Sequence, residues 1–582
     1  LDVPAEYESR VRPVLERRCV VCHGCYDAPC QLKLSTIEGL QRGGSEELVY
    51  NPSRIMPMQP TRLFVDARSV AEWRDRGFHP VLNEGQQTTE DNLTNSVLYR
   101  LLQLKQQHPQ SRSGQLPESF TLGLDREQTC PTLESMDDFA REHPLWGMPY
   151  AMPDLTEQEY RTIVSWLAQG APAPAPPDPS ATVVPQITQW ESFLNQSSNK
   201  QRLVNRYLYE HLFHAHIHFA GSPSREFYRL VRSTTPPGQA IDEIPTVRPY
   251  DDPGAAQFYY RLLRYHPSIV VKNHIVYEFS DRRLERYREL FLEPGYDVRE
   301  LPSYRPEVAS NPFRVFIDLP LKSRYRFLLD DARFFIEGFI KGPVCRDQIA
   351  LNVIEDRFWV LFFDPEQEVF TNDAQFIGNI ADDLQLPADR RSSLNLFSIW
   401  TDYWQRQRRY METKQDWFKQ INTHDINHAL GYVWDGDGSN PNAALTVFRH
   451  FDSGSVAYGL VGNDPETAWI IDYPLLERIH YLLVAGFNVY GNIVHQVSTR
   501  IYMDFLRMEG EDHFLVFLPT ERRQEIRDAW YTGLRTDVEK FFTAPQDWLQ
   551  VESVSGYRTD NPQRELYKYI RGRVASTAQQ AV

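Results

Sequence analysis

No apolar run in this chain of 582 residues reaches the ~18 residues that a membrane-spanning helix needs. The longest candidate, Tyr481 to Val494, is interrupted by Gly486, Asn488, Gly491 and Asn492. A basic block is missing too. The net charge of −16 is spread along the chain, which argues against general nucleic-acid binding. Lysine is scarce, 10 residues against 52 arginines. That bias suits phosphate recognition, and base composition alone also produces it. Residues 1–10, LDVPAEYESR, are polar and carry no secretory leader, as expected of a mature form from which a signal has been removed. Cysteine is sparse, with six residues, but four of them fall within twelve positions.

Aromatics are abundant, with 32 Phe, 30 Tyr and 12 Trp, so disorder is excluded. The length implies more than one domain. A boundary is expected at APAPAPPDP (171–179), which favours extended geometry and cannot continue a helix. Just before it, Thr156 and Glu159 form a capping box, and Tyr160, Ile163, Val164 and Leu167 recur at helical spacing. The reading is therefore a multidomain chain. An all-α, cytochrome-c-like domain spans 1–170, a Pro-rich linker 171–185, and a larger α+β domain 186–582 that is mostly helical toward the C-terminus. Strands are expected at 273–279, 313–318 and 358–363, and helices at 321–341 and 475–507. No internal repeat is visible in the letters.

Cys19-Val-Val-Cys22-His23 has the c-type haem attachment spacing. Two thiols reach the two vinyl groups of one porphyrin edge, and the next residue offers its imidazole to the iron. Cys19, Cys22, Cys25 and Cys30 are also compatible with a tetrahedral zinc site. Context favours haem. A short helix, Tyr7 to Arg18, feeds the motif, and Met148 lies in a Pro-flanked loop before the capped helix, where a soft sixth ligand is expected. Met152 is the second choice, then Met56 and Met58, and an open sixth position is the remaining alternative. Cys25 and Cys30 suit a local disulfide around Pro29. Cys130 and Cys345 either cross-link the two domains or stay as thiols.

RCVVCHGCYDAPCQLKLS resembles the haem region of the fatty acid cis/trans isomerases of Gram-negative bacteria. So do PTRLFVDA (60–67), WRDRGFHPVLNE (73–84), ALTVFRHFDSGSV (444–456), TAWIIDYPLLERIHYLLVAGFNVYGN (467–492) and YMDFLRMEGE (502–511). The turn WDGDGSNPN (434–442) departs from that likeness as an insert. The resemblance implies a periplasmic enzyme with one covalent haem c on Cys19, Cys22 and His23, needing neither NAD(P)H nor ATP. It implies conversion of cis double bonds of unsaturated fatty acids, free or from phospholipids, to trans without bond migration, as an adaptation to membrane stress. Haem iron would be the catalytic centre, with Met148 beside it. A thiol-addition route through Cys130 or Cys345 is the chemical rival. A periplasmic cytochrome-type oxidoreductase or electron-transfer protein is the alternative function, and a haem-carrying sensor or lipid-binding protein the third.

His211, His214, His216 and His218 lie within eight residues and suggest a second metal, a channel lining or buried core histidines. His424, His428 and His450 form a looser set. Asp435 to Asn442 lacks the glycine and glutamate of a calcium loop and reads as a polar turn. Residues 321–341 form an amphipathic stripe, read foremost as a core helix and otherwise as a peripheral membrane contact or acyl-tunnel wall.

Overall fold

The computed structural model describes the chain except residues 1–5, 26, 111–112, 124–127, 173, 343–355, 369–373, 388–395, 423–424, 451–452, 531–545, 553 and 579–582. About 48% of it is helical, with two small mixed sheets. Two apolar cores carry most of the packing. The smaller draws on residues between Tyr7 and Ala171 and holds Leu15, Leu98, Leu101, Ile163 and Trp166. The larger runs from Val183 to Val574 and also takes in Val49. Tyr50 and Met58 pack against that larger core, so the segment around 49–58 belongs to it although it precedes the linker.

The small core is bracketed by its first and last helices. Helix α1 (Arg12–Arg18) leads into the four-residue α2 (Val20–His23). Helix α3 is Val97–Gln107, and α4 is Glu157–Ala168 with the Thr156–Glu159 capping box in place. Glu159 also accepts from Arg18 Nε and Nη2, at 3.2 and 2.9 Å, tying α4 to α1. Tyr7 packs its ring 5.9 Å from that of Trp166.

In the large region, α5 (Asn199–Leu212) precedes β1 (His216–Phe219), β2 (Phe227–Ser233), β3 (Tyr259–Tyr265) and β4 (Val276–Phe279). Helices α6 (Leu321–Asp330) and α7 (Ala332–Lys341) precede β5 (Arg357–Phe362), β6 (Ala444–Arg449), β7 (Gly454–Tyr458) and β8 (Ala468–Ile471). Helices α8 (Tyr473–His480) and α9 (Ile493–Val516) follow. The sheet orders are β3-β2-β1-β4 and β7-β6-β5-β8. Within each, the first strand pairs antiparallel with the second and parallel with the fourth, and the second pairs antiparallel with the third. Strand for strand, the second sheet repeats the first. The last strand of each also ends on a side-chain cap, Ser280 or Asp472, that opens a helix. Those helices carry Leu284-Glu285-Arg286 and Leu476-Glu477-Arg478 at matching offsets from the caps.

Three sequence expectations need correction. Residues 312–315 are a helical turn, because Pro312 follows Asn311, whose side chain caps Phe313 N. The 321–341 helix breaks at Asp331, whose carboxylate accepts from Tyr277 Oη at 2.7 Å and Arg283 Nη2 at 3.0 Å. The 475–507 run is two helices. A Cβ on Gly486 would come within 2.2 Å of Tyr481 O, and Asn492 caps the new start at His495 N. The C-terminal region is mostly helical among its described residues and also supplies β6, β7 and β8.

Candidate functional site: the Cys19–His23 motif and the adjoining cavity

The turn at Cys19–His23 is built by backbone bonds from Cys22 N and His23 N to Cys19 O, at 3.2 and 2.9 Å. The imidazole of His23 is buried, at 8% exposure. Its Nδ1 lies 3.0 Å from Leu32 O, so Nδ1 carries the proton and Nε2 keeps its lone pair. Burial also pushes the His23 pKa below its ordinary value and keeps the ring neutral. Leu34 N donates to His23 O at 2.7 Å, so residues 32–34 grip His23 at ring and backbone.

Cys19 and Cys22 are not disulfide-bonded, and burial pushes the Cys19 thiol up to about 12. The other described cysteines are all oxidised: Cys30 bonds to Cys130, and Cys25 is disulfide-bonded as well. The expected Cys25–Cys30 pair is therefore wrong. Cys30 pairs instead with a residue 100 positions away, which folding brings to a Cα–Cα distance of 5.6 Å. Cys130 then has no thiol for an addition mechanism, and Cys345 lies outside the described residues. A zinc site on Cys19, Cys22, Cys25 and Cys30 is excluded by the same oxidation.

Met148 packs against the small core, as does Cys19. Its loop sits tightly on α3: Met148 N donates to Leu101 O at 3.0 Å, and a Cβ on Gly147 would come within 2.2 Å of Lys105 N. Met152 is half-buried in the same loop. Met56 is 75% exposed, and Met58 packs against the large core.

The loop 266–270 of the large region docks onto this motif. Val270 joins Val20 and Cys25 in an apolar contact. Ser268 N donates to Ser35 O at 2.7 Å, and its hydroxyl donates to Glu16 at 2.9 Å. His266 pairs with Glu38 at 3.2 Å. Burial raises the Glu38 pKa, but hydrogen bonds from His266 and Thr36 outweigh it and hold it at about 2. Beside this junction lies a cavity of about 600 Å³, within the size range of small-molecule sites. One face of the first sheet packs Ile217, Tyr228 and Leu230 into the large core. The other turns His216, Arg229, Leu263 and Tyr265 toward the cavity. Phe64, Phe213, Ile275 and Val484 supply apolar wall, and Lys33 enters from the segment that grips His23. Cys19, Cys22, His23 and Met148 are not among the lining residues.

The histidine run is divided. His211 ends α5 in the core, bonded to Glu477 at 2.8 Å. His214 and His216 line the cavity, and His218 lies 6.3 Å from the Phe227 ring. His216 Nδ1 meets His274 Nδ1 at 2.5 Å. Burial pushes His216 well below its ordinary pKa, and His214 and His274 to about 4, so they act as neutral rings. Among the described residues, the one group with metal-ligand spacing is Asp472, Glu509 and His513, and Lys414 Nζ already sits between them at 2.5, 2.9 and 3.0 Å. His428 and His450 are exposed, and His424 lies outside the described residues. Asp435 and Asp437 form ion pairs with Arg573 and Arg326 in a polar turn. The stripe of α6 and α7, including Tyr325, Phe335 and Phe339, is core.

The family model described as "Fatty acid cis/trans isomerase" matches residues 58–582. The chain belongs to the fatty acid cis/trans isomerase family. That is a family of enzymes, cis–trans isomerases acting on fatty acids. A stretch of 179 residues is also 24% identical to the galactokinases of Lacticaseibacillus casei and Lacticaseibacillus paracasei, covering 29% of this chain and 44% of each relative. The chain thus spans less than half the length of those curated relatives. No solved structure matches it.

A channel lined by part of the histidine run was expected, and His214 and His216 do line the cavity, but most of its other walls were not named from the sequence. Its lining comes from segments as distant as Lys33, Arg229 and Val484. A usable signal was the lone lysine in Gln31-Leu32-Lys33-Leu34-Ser35, where strand-like alternation sets Lys33 opposite the two leucines.

Proposed function

We propose that this chain isomerises cis double bonds of unsaturated fatty acyl chains to trans, without bond migration, using a haem c held by Cys19, Cys22 and His23. The observation that carries the reading is the state of the motif: two thiols kept out of disulfides in a chain that oxidises its other described cysteines, next to a neutral histidine whose Nε2 is free to ligate. That donor set fits a c-type haem. When bound, such a group supplies an electron-withdrawing iron centre, chemistry suited to lowering the π order of an alkene.

The chain's own residues do the rest. Leu32 O fixes the tautomer and tilt of His23. Gly147 and Leu101 O hold the Met148 loop against α3, and Met148, packed on the small core as Cys19 is, would be the residue to offer a thioether to the iron ahead of the exposed Met56. Packing of the first helices against α4 supports the cytochrome-c-like reading of the N-terminal region. The cavity walls take the acyl chain and exclude water from it. Disulfides support an oxidising compartment, the periplasm, where a direct isomerisation stiffens membranes under stress without NAD(P)H or ATP.

Two measurements test this. Absorption spectra of the oxidised and reduced protein should show a covalent haem. A folded His23→Ala or Cys22→Ala protein should lose isomerisation of a cis fatty acid assayed with no electron donor or acceptor. Full activity in either variant refutes the haem role, and turnover only with a redox partner points to an oxidoreductase.

A further inference from the structure

The cavity is lined by several cations, and nearly all are already neutralised. Arg62 pairs with Asp66 at 2.8 Å, Arg68 with Asp242 at 2.7 Å, and Arg229 with Glu243 at 2.9 Å. Arg248 pairs with Asp251 at 3.0 Å, and Arg264 with Glu226 at 3.2 Å. Lys33 also lines the cavity, and it makes no hydrogen bond or ion pair with any described residue. Its neighbours Leu32 and Leu34 are buried in the small core, so strand alternation turns its side chain the other way, into the cavity. Its backbone is fixed from both sides, because Leu32 O and Leu34 N both bond to His23. A cation held rigidly in a largely apolar chamber with no counter-ion is a half-made ion pair.

We infer that Lys33 is the binding residue for the carboxylate of the fatty acid, and that it sets how far along the acyl chain the reacting double bond lies. The inference rests on the reading that the cavity holds the acyl chain. A fatty acid supplies both the carboxylate that Lys33 lacks and the hydrocarbon that Phe64, Phe213, Leu263 and Val484 would cover. Burial, with Arg42 and Arg229 near, brings the Lys33 pKa down to about 7, as expected of an ammonium without an anion. Because its segment also orients His23, the anchor is placed relative to the proposed haem ligand by two hydrogen bonds, at Leu32 O and Leu34 N, rather than by a flexible loop.

The test compares a saturated fatty acid with the alcohol of the same chain length, each as a competitive inhibitor of isomerisation by the holoprotein. Hydrogen bonds to charged groups contribute about 1.5–3 kcal/mol, or roughly 10- to 100-fold in affinity. Lys33→Met should weaken the acid by that factor and leave the alcohol unchanged, and Lys33→Arg should restore part of the loss. An unchanged ratio of acid to alcohol inhibition in Lys33→Met overturns the inference. A second variant, Val484→Trp, fills the cavity. If it raises neither inhibition constant, the cavity reading itself fails. If it raises both while Lys33→Met changes neither, only the anchor is wrong.

Discussion

Replacing Lys414 with Met should destabilise the large region by about 3–5 kcal/mol, the usual cost of stranding a buried charge. The side chains of Lys414, Asp472, Glu509 and His513 have no solvent exposure. Methionine matches lysine closely in volume, so the loss is electrostatic. Glu509 would keep Arg478, whose Nη2 lies 2.6 and 2.7 Å from its carboxylate oxygens. Asp472 would keep only Leu475 N at 2.9 Å and His513 Nε2 at 3.8 Å. Glu368 adds no anion, because burial, with Asp472 near, pushes its pKa well up. For a unit of about 400 residues the midpoint should fall by roughly 4–6 °C. The loss should also depend on pH. Burial and the Lys414 ammonium bring wild-type His513 down to about 4. Without that ammonium, Asp472 raises the folded pKa of His513, so the compensating charge is present at low pH and is lost as pH rises through that value. Lys414→Met should therefore lose more at pH 8 than at pH 5.5 in calorimetry or circular-dichroism melts. Lys414→Met with Asp472→Asn should lose less than the two single changes added together. A wild-type midpoint, or simple additivity, refutes the reasoning.

Other consequences can be checked more briefly. Cys130→Ser should keep isomerase activity, because that thiol is already in a disulfide, while destabilising the small core by about 2–5 kcal/mol in denaturant titrations. The Glu159 carboxyl is held at about 2, chiefly by Arg18, so its contribution is complete above pH ~4.5 and lost as pH falls toward 2. Glu159→Gln should flatten the acid limb of the small core's stability curve. Gly147→Ala should displace the Met148 loop from α3, seen as a changed absorption spectrum of the reduced holoprotein, because the new Cβ would overlap Lys105 N.

What the sequence made legible was what local chemistry writes into short spacings. Cys19, Cys22 and His23 stand on one turn, and the capping box at Thr156 opens the helix it implied. The run at 358–363 is β5 almost to the residue. What stayed hidden depended on distance or on competition. The Cys30 partner lies 100 residues away, and no spacing rule names it. Residues 313–318 look like a strand by composition, yet Asn311 and Pro312 start a helix there. The Lys414 cluster is assembled from three separate segments. The repeated strand order is not legible in the letters, because the two sheets share pairing while their sequences have little in common beyond Leu-Glu-Arg.

The repeated sheet implies a division of labour between two copies of one architecture. The second copy is solid: β8 is buried along its whole length, and the acidic end of that strand is locked to Lys414. The first copy is hollow, with one face of β1, β2 and β3 given over to a chamber. A sheet that gives up half its packing needs stability from elsewhere, and its twin, with β5 and β8 buried along nearly their whole length, provides it. Substitutions along the chamber face of the first copy should therefore be tolerated structurally far better than the same changes in its twin.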